Sequence, residues 1–271
     1  MLDKKLKTED IWRTRRAADL LSKWFDRHIL PLFMAYRIGS ETLQENYTGF
    51  LLRHKGVLYW ITAGHIVDQI RKRISDPDVQ IRKKRWMDRC GLYQAEMLPA
   101  LFDPDMMFSV VDDRMDVGAI KISYIEENSL SSNNPLVIMD ENAWLRVNAP
   151  NPQGFYLIGY PTMLNTSIET ELSKNRTHYY FNAPLQLLPI ESLEDNQTEF
   201  HGRILPFLEE AYDIFDDIDG MSGGPVFSLE DFGGAWKYRL IAVQSAWNRV
   251  RREICAVPME RVTQILEQWN K

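Results

Sequence analysis

The chain has 271 residues, and its 32 basic and 38 acidic side chains give a formal net charge of −6. Hydrophobic residues make up 45% and charged residues 26%, which is typical of a globular protein and excludes a mostly disordered, collagen-like or fibrous chain. The mildly acidic balance argues against a dedicated nucleic-acid binder, so no nucleic-acid partner is expected. No segment approaches the roughly 18 apolar residues of a membrane span, so no membrane crossing is expected.

The number of cysteines and the composition of the first ten residues indicate the cellular compartment. The chain has two cysteines, Cys90 and Cys255, which is too few for a disulfide framework. Charges interrupt the first ten residues, which lack the apolar core of a secretory leader. Both features favour a reducing, cytoplasmic location.

Residues 8–29 are predicted to form a helix, because apolar residues recur there at helical spacing. Thr8 is placed to cap its N-terminus, and Pro31 limits its far end. The wide apolar face favours a structural extension, residues 1–31, that packs on the body of the protein. Docking to a membrane or to a partner is the alternative.

From residue 32 onward the pattern changes to short β-rich runs separated by Gly, Pro, Asn or Asp, which predicts an all-β sandwich or barrel. Lys55-Gly56 is a hairpin turn. The turn-rich stretch 128–152 is expected to connect two β halves, and Pro258 precedes a helix over Met259–Trp269. The predicted strands are Leu32–Arg37, Tyr47–His54, Val57–Thr62, Val117–Ser123, Gly154–Ile158, His178–Phe181, Phe200–Ile204, Gly224–Ser228, Tyr238–Val243 and Glu253–Val257.

Two stretches concentrate charge of one sign. Residues 71–89 hold eight basic side chains and are interpreted as a solvated loop and strand, with docking to an anionic partner as the alternative. Residues 209–219 hold six acids and directly precede the most informative motif of the chain. The basic residues are Arg71, Lys72, Arg73, Arg82, Lys83, Lys84, Arg85 and Arg89, and the acidic ones are Glu209, Glu210, Asp213, Asp216, Asp217 and Asp219.

That motif is Gly220-Met221-Ser222-Gly223-Gly224-Pro225. A serine between glycines suits a strained turn with an exposed hydroxyl, and nearby backbone N–H groups can point to one spot where an oxyanion forms. Such a segment is equally typical of an ordinary turn. A nucleophilic serine needs a base, for which His65 at the end of an apolar strand is the candidate, and the base needs a carboxylate such as Asp116. Taken singly, His65 is equally typical of a packed histidine, and Asp116 of a residue at a strand edge.

Together these segments resemble the trypsin-like (chymotrypsin-fold) serine peptidases over most of the chain. Thr62-Ala63-Gly64-His65 resembles the His motif of the family, Asp116–Ile122 its Asp motif, and Gly220–Pro225 its Ser motif, in the order of the family. The resemblance implies an all-β fold of two consecutive six-stranded antiparallel barrels. The first barrel would span 32–135, and the second, which includes the C-terminal helix, would span 136–271.

By the same resemblance, Ser222 is the nucleophile, His65 the general base, and Asp116 the residue that orients His65. The N–H groups of Gly220 and Ser222 would form the oxyanion hole. The implied reaction is hydrolysis of peptide bonds in a polypeptide substrate through an acyl-enzyme, with no metal and no cofactor. The alternatives are a peptide-binding module without turnover and a latent protease that an activating protein partner switches on.

One departure from the family concerns Met221, which stands where secreted zymogen-type members carry an Asp. That Asp pairs with a freshly cut N-terminus and orders the oxyanion hole. Activation by such a cut is therefore not expected here, and the chain resembles bacterial-type members without the acid. What orders the hole in this chain is left open by the sequence.

The resemblance also indicates a specificity pocket. Asp216, six residues before Ser222, would lie at the pocket floor and favour Lys or Arg in the substrate, whereas a surface position within the acidic run is the alternative. Ser245, Ala246 and Trp247 match the segment that lines the opposite wall. Trp247 replaces a Gly of the family, which would narrow the mouth of the pocket.

Overall fold

The structure, a computed structural model, describes residues 13–88, 96–112, 115–132, 136–144, 152–162, 166–173, 176–182, 185–195, 199–206, 217–231 and 236–270. Its helices are α1 (Arg15–Phe25), α2 (Gly64–Ser75), α3 (Tyr124–Ser132), α4 (Glu141–Trp144) and α5 (Met259–Trp269). Its strands are β1 (Leu32–Ile38), β2 (Glu41–Tyr47), β3 (Phe50–His54), β4 (Val57–Thr62), β5 (Val79–Asp88), β6 (Glu96–Pro99), β7 (Met107–Val111), β8 (Asp116–Lys121), β9 (Gly154–Gly159), β10 (Thr166–Ser173), β11 (Arg176–Asn182), β12 (Gln186–Asp195), β13 (Phe200–Ile204), β14 (Pro225–Asp231), β15 (Trp236–Asn248) and β16 (Glu253–Pro258).

The second β half contains a closed six-stranded antiparallel barrel, in the order β12-β13-β16-β15-β14-β9. Inward-facing side chains such as Leu157, Val226 and Ile254 fill it and are fully buried. Strands β10 and β11 form a separate two-stranded sheet. The predicted closed barrel is therefore present in this half.

The first β half differs from the expected six-stranded barrel. Its eight described strands are divided between two antiparallel four-stranded sheets, β2-β1-β5-β6 and β3-β4-β8-β7, and no closed barrel is assigned among them. Strand β7 has a clear run of β-rich apolar residues, Met107-Phe108-Ser109-Val110-Val111, and was not predicted. Strands β2, β5 and β6 lack such runs, but backbone pairing with neighbours such as β1 includes them in the sheets. Tertiary pairing overrides local propensity here, which is usual for strands.

The predicted strand Tyr47–His54 is two strands that belong to different sheets. β2 ends at Tyr47 and β3 begins at Phe50, so Thr48 and Gly49 lie between them. A Cβ on Gly49 would overlap the indole ring of Trp60, so the chain can cross closely over β4 only with glycine at this position. This crossing brings Thr48 to the junction of the two β halves.

Helix α1 begins later than the predicted residue 8. Thr14 has an extended backbone, and its hydroxyl accepts the N–H of Ala17 at 3.1 Å, so Thr14 is the N-cap of the helix. The proposed cap Thr8 lies outside the described residues. Phe25 is fully buried, with its ring 4.8 Å from that of Phe227, which attaches the helix to the second half. None of the described helices has the length and apolar character that a membrane crossing requires.

The basic stretch is divided between the end of α2 and strand β5, and several of its residues make internal contacts. Arg71 donates to the Asp68 carboxylate at 2.7 Å and to the carbonyl of Met107. Lys84 donates to the carbonyl of Phe102. Some basic side chains of this segment are therefore hydrogen-bonded to other parts of the protein.

Candidate active site

Helix α2 and strand β8 bring His65 and Asp116 together. The backbone N–H of His65 donates to Asp116 Oδ1 at 2.8 Å, and its ring Nδ1 lies 2.6 Å from Asp116 Oδ2. An ionised carboxylate only accepts hydrogen bonds, so Nδ1 carries the proton and Nε2 of the neutral ring has a free lone pair. One carboxylate thus fixes both the helix start and the ring orientation of His65.

Glycines allow this close approach of helix and strand. A Cβ on Gly64 would lie 2.5 Å from the carbonyl oxygen of Val110 and 2.9 Å from Asp116 Oδ1. A Cβ on Gly118 would meet the side chain of Val67 on α2 and the carbonyl of Ala63. Helix α2 was not predicted, although Ile66, Val67 and Ile70 have helical spacing and are buried.

Ser222 lies in a tight turn immediately before β14, and backbone hydrogen bonds hold this turn. The N–H of Met221 donates to the Ile218 carbonyl at 2.9 Å, and that of Gly224 to the Met221 carbonyl at 2.8 Å. The N–H of Gly223 donates to the carbonyl of Gln244 on β15 at 2.8 Å. The turn is therefore held by local hydrogen bonds and is attached to the barrel directly after Ser222.

Positive φ angles at Gly220 (+92°) and Gly223 (+86°) make the turn possible, because non-glycine residues rarely adopt them. Neither the N–H of Gly220 nor that of Ser222 donates to an acceptor among the described residues. Both residues line the same cavity. Two residues that line the cavity therefore have backbone donors without an acceptor among the described residues.

Met221 is fully buried inside the second half. It belongs to the apolar cluster that includes Leu157 and Val226, and a Cβ built on Gly159 would lie 3.1 Å from Met221 Cβ. An apolar side chain thus occupies the position directly before Ser222. Burial of this thioether side chain stabilises the turn without a charge partner.

Thr48 connects the serine turn to both β halves. Its buried hydroxyl donates to the carbonyl of Gly220 at 2.7 Å and accepts the N–H of Tyr160 at 3.1 Å. Its own carbonyl accepts the hydroxyl of Thr62 at 2.8 Å. Thr62 stands three residues before His65, so one hydrogen-bonded chain links the histidine strand to the serine turn.

His65, Gly220 and Ser222 line one cavity of about 460 Å³ between the two halves. The structure therefore brings the proposed nucleophile, the proposed base and the two proposed oxyanion donors to the same cavity, with Asp116 behind His65. The other described lining residues are Gln44, Glu45, Asn46, Tyr47, Ile66, Gln69, Thr162 and Asp219.

The proposed specificity residues are less fully described. Asp216 lies outside the described residues. Ser245, Ala246 and Trp247 lie on β15, and the Ser245 hydroxyl donates to the carbonyl of Cys255 at 3.1 Å. None of these three is among the described lining residues of the cavity.

Asp219 lines the cavity instead, and its N–H donates to the Asp217 carboxylate at 3.0 Å. Partial burial, followed by the charge of Asp217, raises the pKa of the Asp219 carboxyl. The cavity therefore has an acidic side chain close to Ser222.

Sequence reasoning missed the roles of Thr48, Thr62, Asp219 and strand β2 at this site. The turn Gly39-Ser40, where Gly39 has φ +59°, is a hairpin signal that would have predicted β2 after β1. No local signal marks Thr48, because its partners are distant in sequence.

No family model and no curated protein matches the chain. Among solved structures, it is similar to a thermostable serine protease, AL20, from an extremophilic microorganism, at 12% identity and a TM-score of 0.40, covering 86% of this chain and 91% of that one. It is similar to the protease Anisep from Arthrobacter nicotinovorans at 11% identity and a TM-score of 0.39, covering 86% and 90%. It is also similar to a Glu endopeptidase in complex with MPD at 10% identity and a TM-score of 0.41, covering 96% and 93%. Because these TM-scores are low, any proposal about function has to rest on the geometry of the chain itself.

Proposed function

We propose that the protein is a trypsin-like serine endopeptidase with the triad His65, Asp116 and Ser222. The observation that carries the proposal is that Asp116 orients the ring of His65 at 2.6 Å while His65 and Ser222 line one cavity. A nucleophile, a base and a residue that orients the base form the arrangement that acyl transfer needs.

In this mechanism Ser222 Oγ attacks the carbonyl carbon of the scissile bond as Nε2 of His65 takes the hydroxyl proton. The oxyanion forms next to the N–H groups of Gly220 and Ser222, which stabilise it. His65 then gives its proton to the departing amine, and the C–N bond breaks to leave an acyl-enzyme. Water, deprotonated by His65, hydrolyses the ester and restores Ser222.

The order of the oxyanion turn comes from Thr48 and Met221. The hydroxyl of Thr48 holds the carbonyl of Gly220, and the N–H of the same peptide unit, on Met221, is held by Ile218. Both polar groups of the peptide unit between Gly220 and Met221 are thus hydrogen-bonded, and this unit lies between the two oxyanion donors. These hydrogen bonds order the oxyanion turn in place of the Asp that zymogen-type members carry, and they require no cut N-terminus.

We propose a preference for Lys or Arg before the scissile bond, in a pocket to which Asp216, Ser245, Ala246 and Trp247 contribute. The acidic side chain of Asp219 in the cavity supports it, because a cationic substrate group gains from a nearby carboxylate.

We further propose the organisation stated from the sequence, with an extension at 1–31 and halves at 32–135 and 136–271. The closed barrel formed by strands between Gly154 and Pro258 supports the second half. A cytoplasmic location is proposed because the sequence has only two cysteines.

A fluorophosphonate probe tests the assignment, because it phosphonylates an activated serine with loss of fluoride. We expect labelling of the wild type and of Ser40→Ala, an exposed turn control, but not of Ser222→Ala. Cleavage of a mixed peptide library by the same protein reports the residue before the cut, where Lys and Arg are expected.

The outcome separates the alternatives. A folded wild type that binds peptides but never reacts with the probe is a peptide-binding module, and the peptidase proposal fails. A chain that reacts only after an activating protein is added is a latent protease. Labelling that persists in Ser222→Ala removes Ser222 as the nucleophile.

A further inference from the structure

The basic side chain of Arg71 connects helix α2 to strand β7. Its guanidinium donates to the Asp68 carboxylate at 2.7 Å and to the Ser109 hydroxyl at 3.0 Å. It also donates to the carbonyl of Met107 at 3.1 Å. The Ser109 hydroxyl in turn donates to Asp68 Oδ1, the oxygen that Arg71 contacts, at 2.5 Å. One cation, one hydroxyl and one carboxylate thus form a closed hydrogen-bonded ring between the helix and the strand.

Helix α2 meets β7 at two points that lie near opposite ends of the strand. At the helix start, a Cβ on Gly64 would lie 2.5 Å from the carbonyl oxygen of Val110, so the backbones are in close contact there. Arg71 contacts Met107, at the start of the strand. The helix rises about 10 Å between Gly64 and Arg71, and the strand extends about 10 Å between Met107 and Val110. The two elements therefore run antiparallel side by side, and the second contact fixes the direction of the helix axis.

This direction affects the site because the two elements position the proposed base and the residue that orients it. His65 is the second residue of α2, and Asp116 on β8 lies opposite Val111 of β7 in the antiparallel register. A tilt of α2 against β7 would therefore turn the ring of His65 relative to the carboxylate of Asp116. Apolar packing of α2 on the sheet resists such a tilt only weakly, because it is non-directional.

We propose that Arg71 is a positioning residue for the pair His65 and Asp116, because it holds helix α2 in a fixed direction against β7. This inference rests on the proposed peptidase function. It also gives a role to one residue of the basic stretch 71–89, for which the sequence indicated a solvated surface or an anionic partner.

The chemistry of arginine suits this role. A planar guanidinium has five N–H donors in a fixed geometry, so Arg71 can contact acceptors on both elements at once. The side chains of Asp68 and Arg71 are 49% and 35% exposed, and ion pairs with such exposure contribute little to stability. A loss of Arg71 should therefore affect the kinetics much more than the free energy of unfolding.

The first test is Arg71→Met, which keeps an unbranched side chain and removes the guanidinium. We expect kcat on peptide substrates to fall about tenfold with KM within about twofold of wild type, because small displacements of catalytic groups are costly. The midpoint of urea unfolding should stay close to wild type. Lys72→Met is the matched control, because it removes the same charge from the neighbouring, exposed residue of the same helix. That variant should behave as wild type.

The strand side of the contact gives a second pair of variants. Ser109→Ala removes one hydroxyl of the ring and should lower kcat about threefold, the effect of one hydrogen bond. Ser109→Thr keeps the hydroxyl and should retain most of kcat. These variants test the same contact even if Arg71→Met does not fold.

Proton NMR reads the His65–Asp116 pair without turnover. A ring N–H that donates to a carboxylate gives a resonance at low field, and His65→Gln assigns this resonance by its loss. We expect Arg71→Met to move the resonance to higher field and to speed its exchange with water, whereas Lys72→Met should leave it unchanged. A residue that contributes only to stability would not move this signal.

A double-mutant comparison tests whether Arg71 acts through the pair. In the Asp116→Asn background the pair is already broken, so Arg71→Met should cause no further fall in the rate of fluorophosphonate labelling. The inference is overturned if Arg71→Met keeps the wild-type kcat and resonance, if its effect persists in full in the Asp116→Asn background, or if Lys72→Met reproduces it. A resonance that depends on Arg71 in a wild type that never reacts with the probe overturns the peptidase proposal alone.

Discussion

At the scale of single residues, Thr48 holds the serine turn through hydrogen bonds that its local sequence does not indicate. Its one hydroxyl satisfies two buried backbone groups, the carbonyl of Gly220 and the N–H of Tyr160. Both groups belong to the second half, whereas Thr48 follows strand β2 of the first half. A loss of this hydroxyl leaves both groups unpaired and releases the turn that holds the oxyanion donors.

Thr48→Val tests this role, because valine keeps the shape and removes only the hydroxyl. We expect the free energy of unfolding to fall by about 2 kcal/mol, from two unpaired buried groups. We also expect kcat to fall by about tenfold or more with little change in KM, because the oxyanion donors act mainly in the transition state. Steady-state kinetics and urea unfolding measure the two effects.

Thr48→Ser, which keeps the hydroxyl, should restore most of kcat. Thr263→Val is the matched control, because Thr263 is also buried and its hydroxyl donates within helix α5 to Met259. That variant should leave kcat unchanged. If Thr48→Val lost stability but kept its kcat, Thr48 would be a structural residue only.

At the scale of elements, the segment after helix α1 depends on a buried histidine. His28 is 2% exposed, and its Nε2 lies 2.8 Å from the hydroxyl of Tyr238 on β15. Burial lowers the pKa of His28 from 6.5 to about 4. The ring is therefore neutral in the folded protein at neutral pH and packs with the aromatic side chains that attach α1.

This pKa predicts how stability changes with pH. Between pH 6.5 and about 4 the unfolded chain binds a proton at His28 that the folded protein does not, so stability falls as pH falls through this window. The contribution is about 3 kcal/mol. His28→Gln, which keeps a hydrogen-bonding group without titrating, should remove this part of the pH dependence in urea unfolding. An unchanged slope in the variant would assign the dependence to other groups.

Predicted and observed elements agree best where the local pattern of apolar and turn residues is strong. The predicted bounds of strands Val57–Thr62 and Phe200–Ile204 and of helix Met259–Trp269 match the structure, because apolar pattern and turn residues agree there. The polar strand β2 was missed, because pairing with β1 rather than its own composition makes it a strand. Strand β5 lies in the basic stretch 71–89, for which a loop and a strand were predicted. Helix α1 begins later than predicted because Thr14 caps it.

At the scale of the whole molecule, the site depends on contact between the two β halves at Gly223. A Cβ on Gly223 would collide with Thr62 Oγ1 and lie 2.7 Å from the carbonyl oxygen of Thr48. Both neighbours belong to the first half, so glycine allows the serine turn to approach the histidine strand. Gly56 also has a positive φ, but nothing lies within 4 Å of its would-be Cβ.

Gly223→Ala should therefore separate the halves at the site, whereas Gly56→Ala should only strain its own turn. We expect Gly56→Ala to lose about 1–2 kcal/mol of stability and to keep its probe labelling rate. Gly223→Ala should lose more stability and at least about tenfold in labelling rate, because small displacements of catalytic groups are costly. Equal labelling by both variants would mean that the halves can adjust without effect on Ser222.

The sequence by itself predicted candidate chemistry-bearing residues and five of the six strands of the closed barrel, the exception being β12. His65, Asp116 and Ser222 stand in recognisable local motifs, and the strands from Gly154 to Pro258 have clear turn punctuation. The same is true of the C-terminal helix. These features depend on residue types and short spacing, which one sequence contains.

The tertiary structure alone decided how those residues are held and what lines the cavity. Thr48 lies 172 positions from Gly220 and 112 from Tyr160 in the chain, so no local pattern could join them. Hydrogen bonds and burial between distant segments depend on the packed fold, and this is why the sequence left the order of the oxyanion turn open.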